Sequence, residues 1–140
     1  FGLATSHGWP ALVGRCPGAK RAGSRSFGGW GTGTPRREFL YVDDLADAVV
    51  FLTRSYSGAG PINVGAGTDI TIRELAELMG VVIGYRGELV FDTTKPDGTP
   101  RKLLDVGRLR SLGWHATTAL QAGLRTTYDW FCANESQLRR

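Results

Sequence analysis

The chain has 140 residues, 41% hydrophobic and 21% charged, which fits an ordinary soluble protein with one domain and a modest core. No run approaches the ~20 apolar residues of a membrane span, and the first residues lack the basic region, apolar core and cleavage site of a secretory signal. The net charge of +4 comes from residues 1–37, which hold six of the 17 basic residues and no acid, against 11 basic and 13 acidic residues in 38–140; charge confined to one glycine-rich stretch argues against a nucleic-acid partner.

Residues 1–37 contain nine of the twenty glycines, with Pro10, Pro17 and Pro35. A mid-helix Gly costs about 1 kcal/mol relative to Ala and Pro about 3 kcal/mol, so Gly14, Pro17 and Gly18 oppose a helix. Gly28 and Gly29 give a strand no side chain to pack, and residues 8–29 are expected to be the least regular part of the chain. The sequence divides into this basic segment, 1–37, and an α/β domain, 38–140.

From Glu38 the patterning sharpens. Residues 39–42 read as a short strand, with Asp43 or Asp44 capping the helix that follows. Leu45, Ala48, Val49 and Leu52 recur at helical spacing, and Ala46, Val50 and Phe51 widen the stripe, predicting a helix buried on more than one side. Residues 62–64 read as a second strand, ending in Gly65-Ala-Gly67.

Thr71 and Glu74 form a capping box with Ile70 and Leu75 at the staple positions, opening a helix whose stripe is Leu75, Leu78, Met79 and Val82 and whose end is Gly84. Residues 88–92 are a strand, 95–98 a turn with Pro96 at its second position, and 106–112 a helical turn stopped by Gly113. Thr118 and Gln121 read as another capping box, for a last helix with the stripe Leu120, Leu124, Tyr128 and Phe131. The tail from Asn134 is polar and expected to fray.

Gly31-Thr-Gly33 and Gly65-Ala-Gly67 lack the third glycine of a dinucleotide fingerprint and read as turns without a ligand role. None of the four tyrosines has a lysine four residues on. Cys16 and Cys132 share no short motif, so neither a disulfide framework nor a metal site is expected, and a reduced, cytoplasmic compartment is the default. His115 matches no motif and reads as a surface or loop residue. Trp30 offers a flat apolar face of the kind a purine stacks on, and Arg37 offers the forked donors that suit a diphosphate. By themselves these residues also allow a core anchor and a solvated charge, and Lys95–Lys102 a proline-bounded surface turn.

The surrounding strings add more. Trp30-Gly-Thr-Gly-Thr-Pro-Arg-Arg37-Glu-Phe-Leu-Tyr-Val-Asp43-Asp44, with Phe91-Asp-Thr-Thr-Lys95-Pro-Asp97-Gly-Thr-Pro-Arg101-Lys102-Leu-Leu-Asp105 downstream, resembles the GDP-L-fucose synthases, extended short-chain dehydrogenase/reductases. The resemblance implies an α/β substrate-binding lobe without the N-terminal Rossmann core. It implies conversion of GDP-4-keto-6-deoxy-mannose to GDP-L-fucose, by epimerisation beside the ketone and then hydride transfer from NADPH. It also implies that Trp30, Arg37 and Asp97 contact the GDP-sugar, with Lys102 a second contact.

Ser6-His7-x-x-Pro10-Ala-Leu-x-x-Arg15 is similar to the family segment in which the His is the acid for epimerisation, placed beside the cofactor, and the Arg holds the nucleotide-sugar. Gly8, Trp9, Gly14 and Cys16-Pro17-Gly18 depart from that segment, and Phe27-Gly28-Gly29 replaces an apolar strand. The family's phosphate-binding Gly-x-x-Gly-x-x-Gly and its Ser, Tyr and Lys relay have no counterpart here, and Phe1 stands where an initiating Met is usual. A fragment is therefore expected, which alone binds no NADP(H) and reduces no ketone; the family's homodimer contact is expected in the missing half. Another NAD(P)-dependent nucleotide-sugar epimerase or reductase, and a non-catalytic remnant of a truncated or frameshifted gene, are the alternatives.

Overall fold

A computed structural model describes residues 23–138. In chain order the described elements are β1 (Ser26–Trp30), β2 (Arg36–Glu38), α1 (Val42–Ser55), β3 (Asp69–Thr71), α2 (Ile72–Ile83), β4 (Glu88–Asp92), β5 (Arg101–Lys102), α3 (Gly107–Ser111) and α4 (Leu120–Leu138). β1 pairs in parallel with β4, while β2 lies between β3, antiparallel, and β5, parallel.

The expected irregularity of 8–29 fails over 26–29, which belong to β1; residues 8–22 lie outside the described residues. Glycine here permits the strand rather than weakening it. Gly28 sits opposite Val90 in the β1–β4 ladder, and a Cβ on Gly28 would fall on the Val90 carbonyl. The two backbones approach too closely for any side chain. Phe27 is buried beside them, edge-on to Tyr85 with ring centroids 5.0 Å apart.

α2 forms as its sequence dictates. The Thr71 hydroxyl accepts from the Glu74 amide at 3.1 Å, the Glu74 carboxylate accepts from the Thr71 amide at 2.8 Å, and Gly84 closes the helix at φ 67°. Leu75, Met79, Val82 and Ile83 are buried against Phe27, Phe91 and Leu124. Leu120 and Tyr128 of α4 pack on the same core.

α1 departs from its expected setting. The ladder lies at Arg36–Glu38 rather than 39–42, because β3 and β5 pair with β2 only that far, and the helix starts at Val42 with Tyr41 as a cap that makes no side-chain bond. Neither Asp43 nor Asp44 caps it. Asp44, 7% exposed, instead accepts from the Thr118 amide at 2.9 Å and from the hydroxyls of Thr118 and Thr117 at 3.0 and 3.3 Å. The capping box expected of Thr118 and Gln121 is displaced because α4 starts at Leu120, which puts Ala119, whose carbonyl accepts from the Gly123 amide at 3.0 Å, at the cap position. α1 buries Ala48 against Leu109 and Trp114, with Phe51 and Leu52 beside them. Val42 and Val49 remain 65% and 54% exposed, so burial on more than one side does not hold among the described residues.

Two further expectations shift. Residues 62–64 make no ladder: Ile62 and Val64 pack into the Trp114 cluster, and the Asn63 amide donates to the Asp105 carbonyl at 2.9 Å. The turn expected at 95–98 lies earlier, where Lys95 N–H donates to the Asp92 carbonyl at 3.2 Å and the Asp92 carboxylate accepts from the Thr94 amide at 3.0 Å. Pro96 then follows the turn. The helical turn before Gly113, which has φ 98°, is α3 as read.

Candidate functional site

Both Gly-x-Gly loops adopt conformations that only glycine takes easily, and both already hold a carboxylate. Gly31 and Gly33 have φ of 81° and 78°. Between them the Thr32 amide and hydroxyl donate to the two oxygens of Asp97, at 2.8 and 2.7 Å. Gly31 N–H donates to the Asp92 carbonyl at 2.9 Å, and Thr34 N–H to the Thr32 hydroxyl at 3.1 Å. In the second loop Gly67 N–H donates to Glu38, whose other oxygen accepts from the Leu104 amide at 3.1 Å. In each loop one amide that a dinucleotide phosphate would need, that of Thr32 or of Gly67, is thus occupied by the chain's own carboxylate. Among the described residues, neither loop fits NADP(H).

The first turn of α2 fixes the Gly31–Pro35 loop in place. Its free N–H groups, which a helix leaves without internal partners, run from Ile72 to the Pro35 carbonyl at 3.0 Å and from Arg73 to the Gly33 carbonyl at 2.9 Å. The Arg73 guanidinium donates to the Thr32 carbonyl at 3.0 Å and lies over the Phe91 ring at 4.5 Å, a favourable cation–π geometry.

The β2–β5 register sorts four cations into two pairs, since alternate strand residues face opposite sides. Arg36 lies beside Arg101 and Arg37 beside Lys102. Arg36 and Arg101 both donate to Asp69, whose side chain is 5% exposed. The Arg101 bond, opposed by desolvation and aided by Arg36, holds the Asp69 carboxyl below its usual pKa. That pair is neutralised. Arg37 and Lys102 join none of the ion pairs among the described residues, which are Arg36–Asp69, Arg36–Glu74 and Arg101–Asp69. One Arg37 nitrogen donates to the Arg36 carbonyl at 2.7 Å, while another lies beside Gly98.

Four of the six site residues expected from sequence therefore fall on adjoining elements. Trp30, 52% exposed, ends β1; Arg37 and Lys102 are cross-strand neighbours; Asp97 is fastened to the loop that joins Trp30 to β2. His7 and Arg15 lie outside the described residues. His115 is exposed, as read. Thr32 was missed, since a threonine between two glycines carries no signal until its partner, 65 residues on, is known. A groove of about 630 Å³ runs beside Arg36, but Asp69, Glu74 and Glu77 line it, a poor setting for a diphosphate. No cluster of metal-binding side chains occurs among the described residues, and none of their helices is long and apolar enough to cross a membrane.

Comparison with known proteins places this arrangement. Residues 4–65 match the NAD dependent epimerase/dehydratase family. The chain is 53% identical over 135 residues to a putative GDP-L-fucose synthase 2 of Arabidopsis thaliana, covering 96% of this chain and 41% of that protein. It is 47% identical over 148 residues to a GDP-L-fucose synthase of Escherichia coli, covering 99% and 46%. The structure superposes on a GDP-L-fucose synthetase of Naegleria fowleri bound to NADP with a TM-score of 0.91 at 26% identity, over all of this chain and 44% of the other. The chain thus spans less than half the length of these relatives. With its α/β fold, its two site-bearing strings and these relatives in agreement, the chain belongs to the NAD dependent epimerase/dehydratase family, on the branch of the GDP-L-fucose synthases.

Proposed function

We propose that this chain carries the GDP-sugar-binding part of an NADP-dependent GDP-L-fucose synthase, the enzyme that converts GDP-4-keto-6-deoxy-mannose to GDP-L-fucose. The observation that carries the reading is the Arg37–Lys102 pair, two cations in register that no described carboxylate neutralises, on strands whose preceding loops start from Trp30 and carry Asp97. A nucleoside diphosphate needs that combination: an aromatic face for the base, charge with directed donors for the phosphates, and an acceptor for hydroxyls. Trp30 takes the guanine, Arg37 and Lys102 the diphosphate, and Asp97 the hydroxyl groups. The described residues bind and orient; they move neither hydride nor proton. By resemblance His7 is the acid for epimerisation beside the cofactor, and Arg15 a further contact to the nucleotide-sugar. The whole enzyme is a cytoplasmic homodimer in this reading, and the 140-residue chain by itself is inactive.

Calorimetry with GDP and GDP-L-fucose tests the proposal. Arg37→Ala removes a charge-assisted phosphate contact and should weaken binding by about 1.5–3 kcal/mol. Unchanged affinity in this variant would take Arg37 out of the site. Equal binding of UDP or dTDP would favour an enzyme for another nucleotide sugar.

A further inference from the structure

We infer that Thr32 is a positioning residue for the nucleotide-sugar site, acting through the Asp97 carboxylate; the inference rests on the function proposed above. Asp97 lies in the β4–β5 connection, where residues 96–99 have no regular structure. Among the described residues, the hydrogen bonds that 96–99 make are the two from Thr32, one to each Asp97 oxygen. A carboxylate on so loose a segment would have to be ordered by its ligand, at a cost to affinity. Thr32 orders it beforehand. An ionised carboxylate has about four acceptor sites, so each oxygen, on an exposed residue, keeps capacity for a hydroxyl of the ligand.

Thr32 is itself fixed from three sides. Its carbonyl accepts from Arg73 at 3.0 Å, its hydroxyl lies 2.7 Å from the Thr34 hydroxyl, and Gly31 turns its amide toward Asp97. Since the single Thr32 hydroxyl proton goes to the charged acceptor, the Thr34 hydroxyl is the donor in their pair. Gly31 is needed twice over: its φ is 81°, and a Cβ there would fall on the Asp97 carboxylate. The latch thus ties the loop between Trp30 and β2 to the loop leading to Lys102.

A double-mutant cycle on the full chain tests this, read by calorimetry with GDP-L-fucose. Thr32→Val removes the hydroxyl, keeps the shape and the backbone bond, and should weaken binding about tenfold. Thr32→Ser should restore most of that loss. In an Asp97→Ala background Thr32→Val should cost nothing further, because its effect passes through that carboxylate. Additive losses, or full affinity in Thr32→Val, would overturn the inference while leaving the binding function intact. A ligand-free readout accompanies it: amide hydrogen exchange at Thr32, whose N–H donates to Asp97, should be faster in Asp97→Ala than in the wild type. Equal exchange in the two would likewise overturn the latch. Failure of the wild-type chain to bind GDP-L-fucose, with that exchange difference present, would instead refute the nucleotide-sugar function and the role of Thr32 in it.

Discussion

Removing the Asp44 carboxylate should loosen the junction between α1 and α4. Asp44→Ala deprives the Thr118 amide and two hydroxyls of their acceptor. Thr117 is exposed and Thr118 half-buried, so the hydroxyls can recover hydration while the amide bond is lost outright. A hydrogen bond to a charged acceptor contributes about 1.5–3 kcal/mol, and a buried donor left without one costs about 1–3 kcal/mol. These are two views of one loss, and the expected destabilisation is about 2–3 kcal/mol. At this chain length that corresponds to a Tm lower by roughly 6–12 °C. Asp44→Asn, which retains an acceptor for the amide, should lose about 1 kcal/mol.

The pH dependence has a definite sign. Burial pushes the Asp44 carboxyl up, but the bonds from Thr118 and Thr117 outweigh it and leave the pKa below its ordinary 3.8. A group with a depressed folded pKa adds stability that is complete above its unfolded value and is lost as pH falls through the folded one. The gap between wild type and Asp44→Ala should therefore be constant from pH 7 to about pH 5 and narrow below about pH 4. Urea unfolding followed by tryptophan fluorescence suits the measurement, since Trp114 is buried and donates to Asp47 of α1 at 2.8 Å. A gap below about 0.5 kcal/mol at pH 7, within the range of ordinary surface substitutions, or one that widens on acidification, would refute the reasoning.

NADPH fluorescence should show no saturable binding to the 140-residue chain at micromolar concentration, because neither Gly-x-Gly loop has the third glycine of a phosphate-binding fingerprint and the Thr32 and Gly67 amides already serve Asp97 and Glu38; saturation in that range would overturn this. Gly33→Ala should destabilise the chain by about 1–3 kcal/mol or more, since φ is 78° and the new Cβ would meet the Phe91 ring at 2.8 Å and the Arg73 Cβ at 3.1 Å. Thermal unfolding checks it, and a wild-type Tm would show that the loop shifts freely.

The parts of the fold that could be read in advance are those whose determinants lie within a turn or two of each other. The capping box of α2 involves residues three apart, and Gly84 closes the helix by bonds to Gly80 and Val81. The stripes of α2 and α4 follow from helical spacing alone. Such bonds close over short loops, so neighbouring residues determine them wherever the helix sits. Trp30, Arg37, Asp97 and Lys102 were recognisable as a set because their strings resemble those of a family, while their types alone also fitted a core anchor and solvated charges.

What only the tertiary structure decided depends on partners far along the chain. Asp43 and Asp44 both read as caps for α1, yet Asp44 serves Thr118, 74 residues on. Gly28 and Gly29 read as weakening a strand until Val90 is found against Gly28, where a strand without a side chain is the one that fits. Arg36 and Arg37 are adjacent and chemically alike, and only the β2–β5 register neutralises one and leaves the other beside Lys102. Composition determines which groups can bind charge; pairing across the sheet determines which of them the protein has already satisfied, and so which remain to hold a ligand.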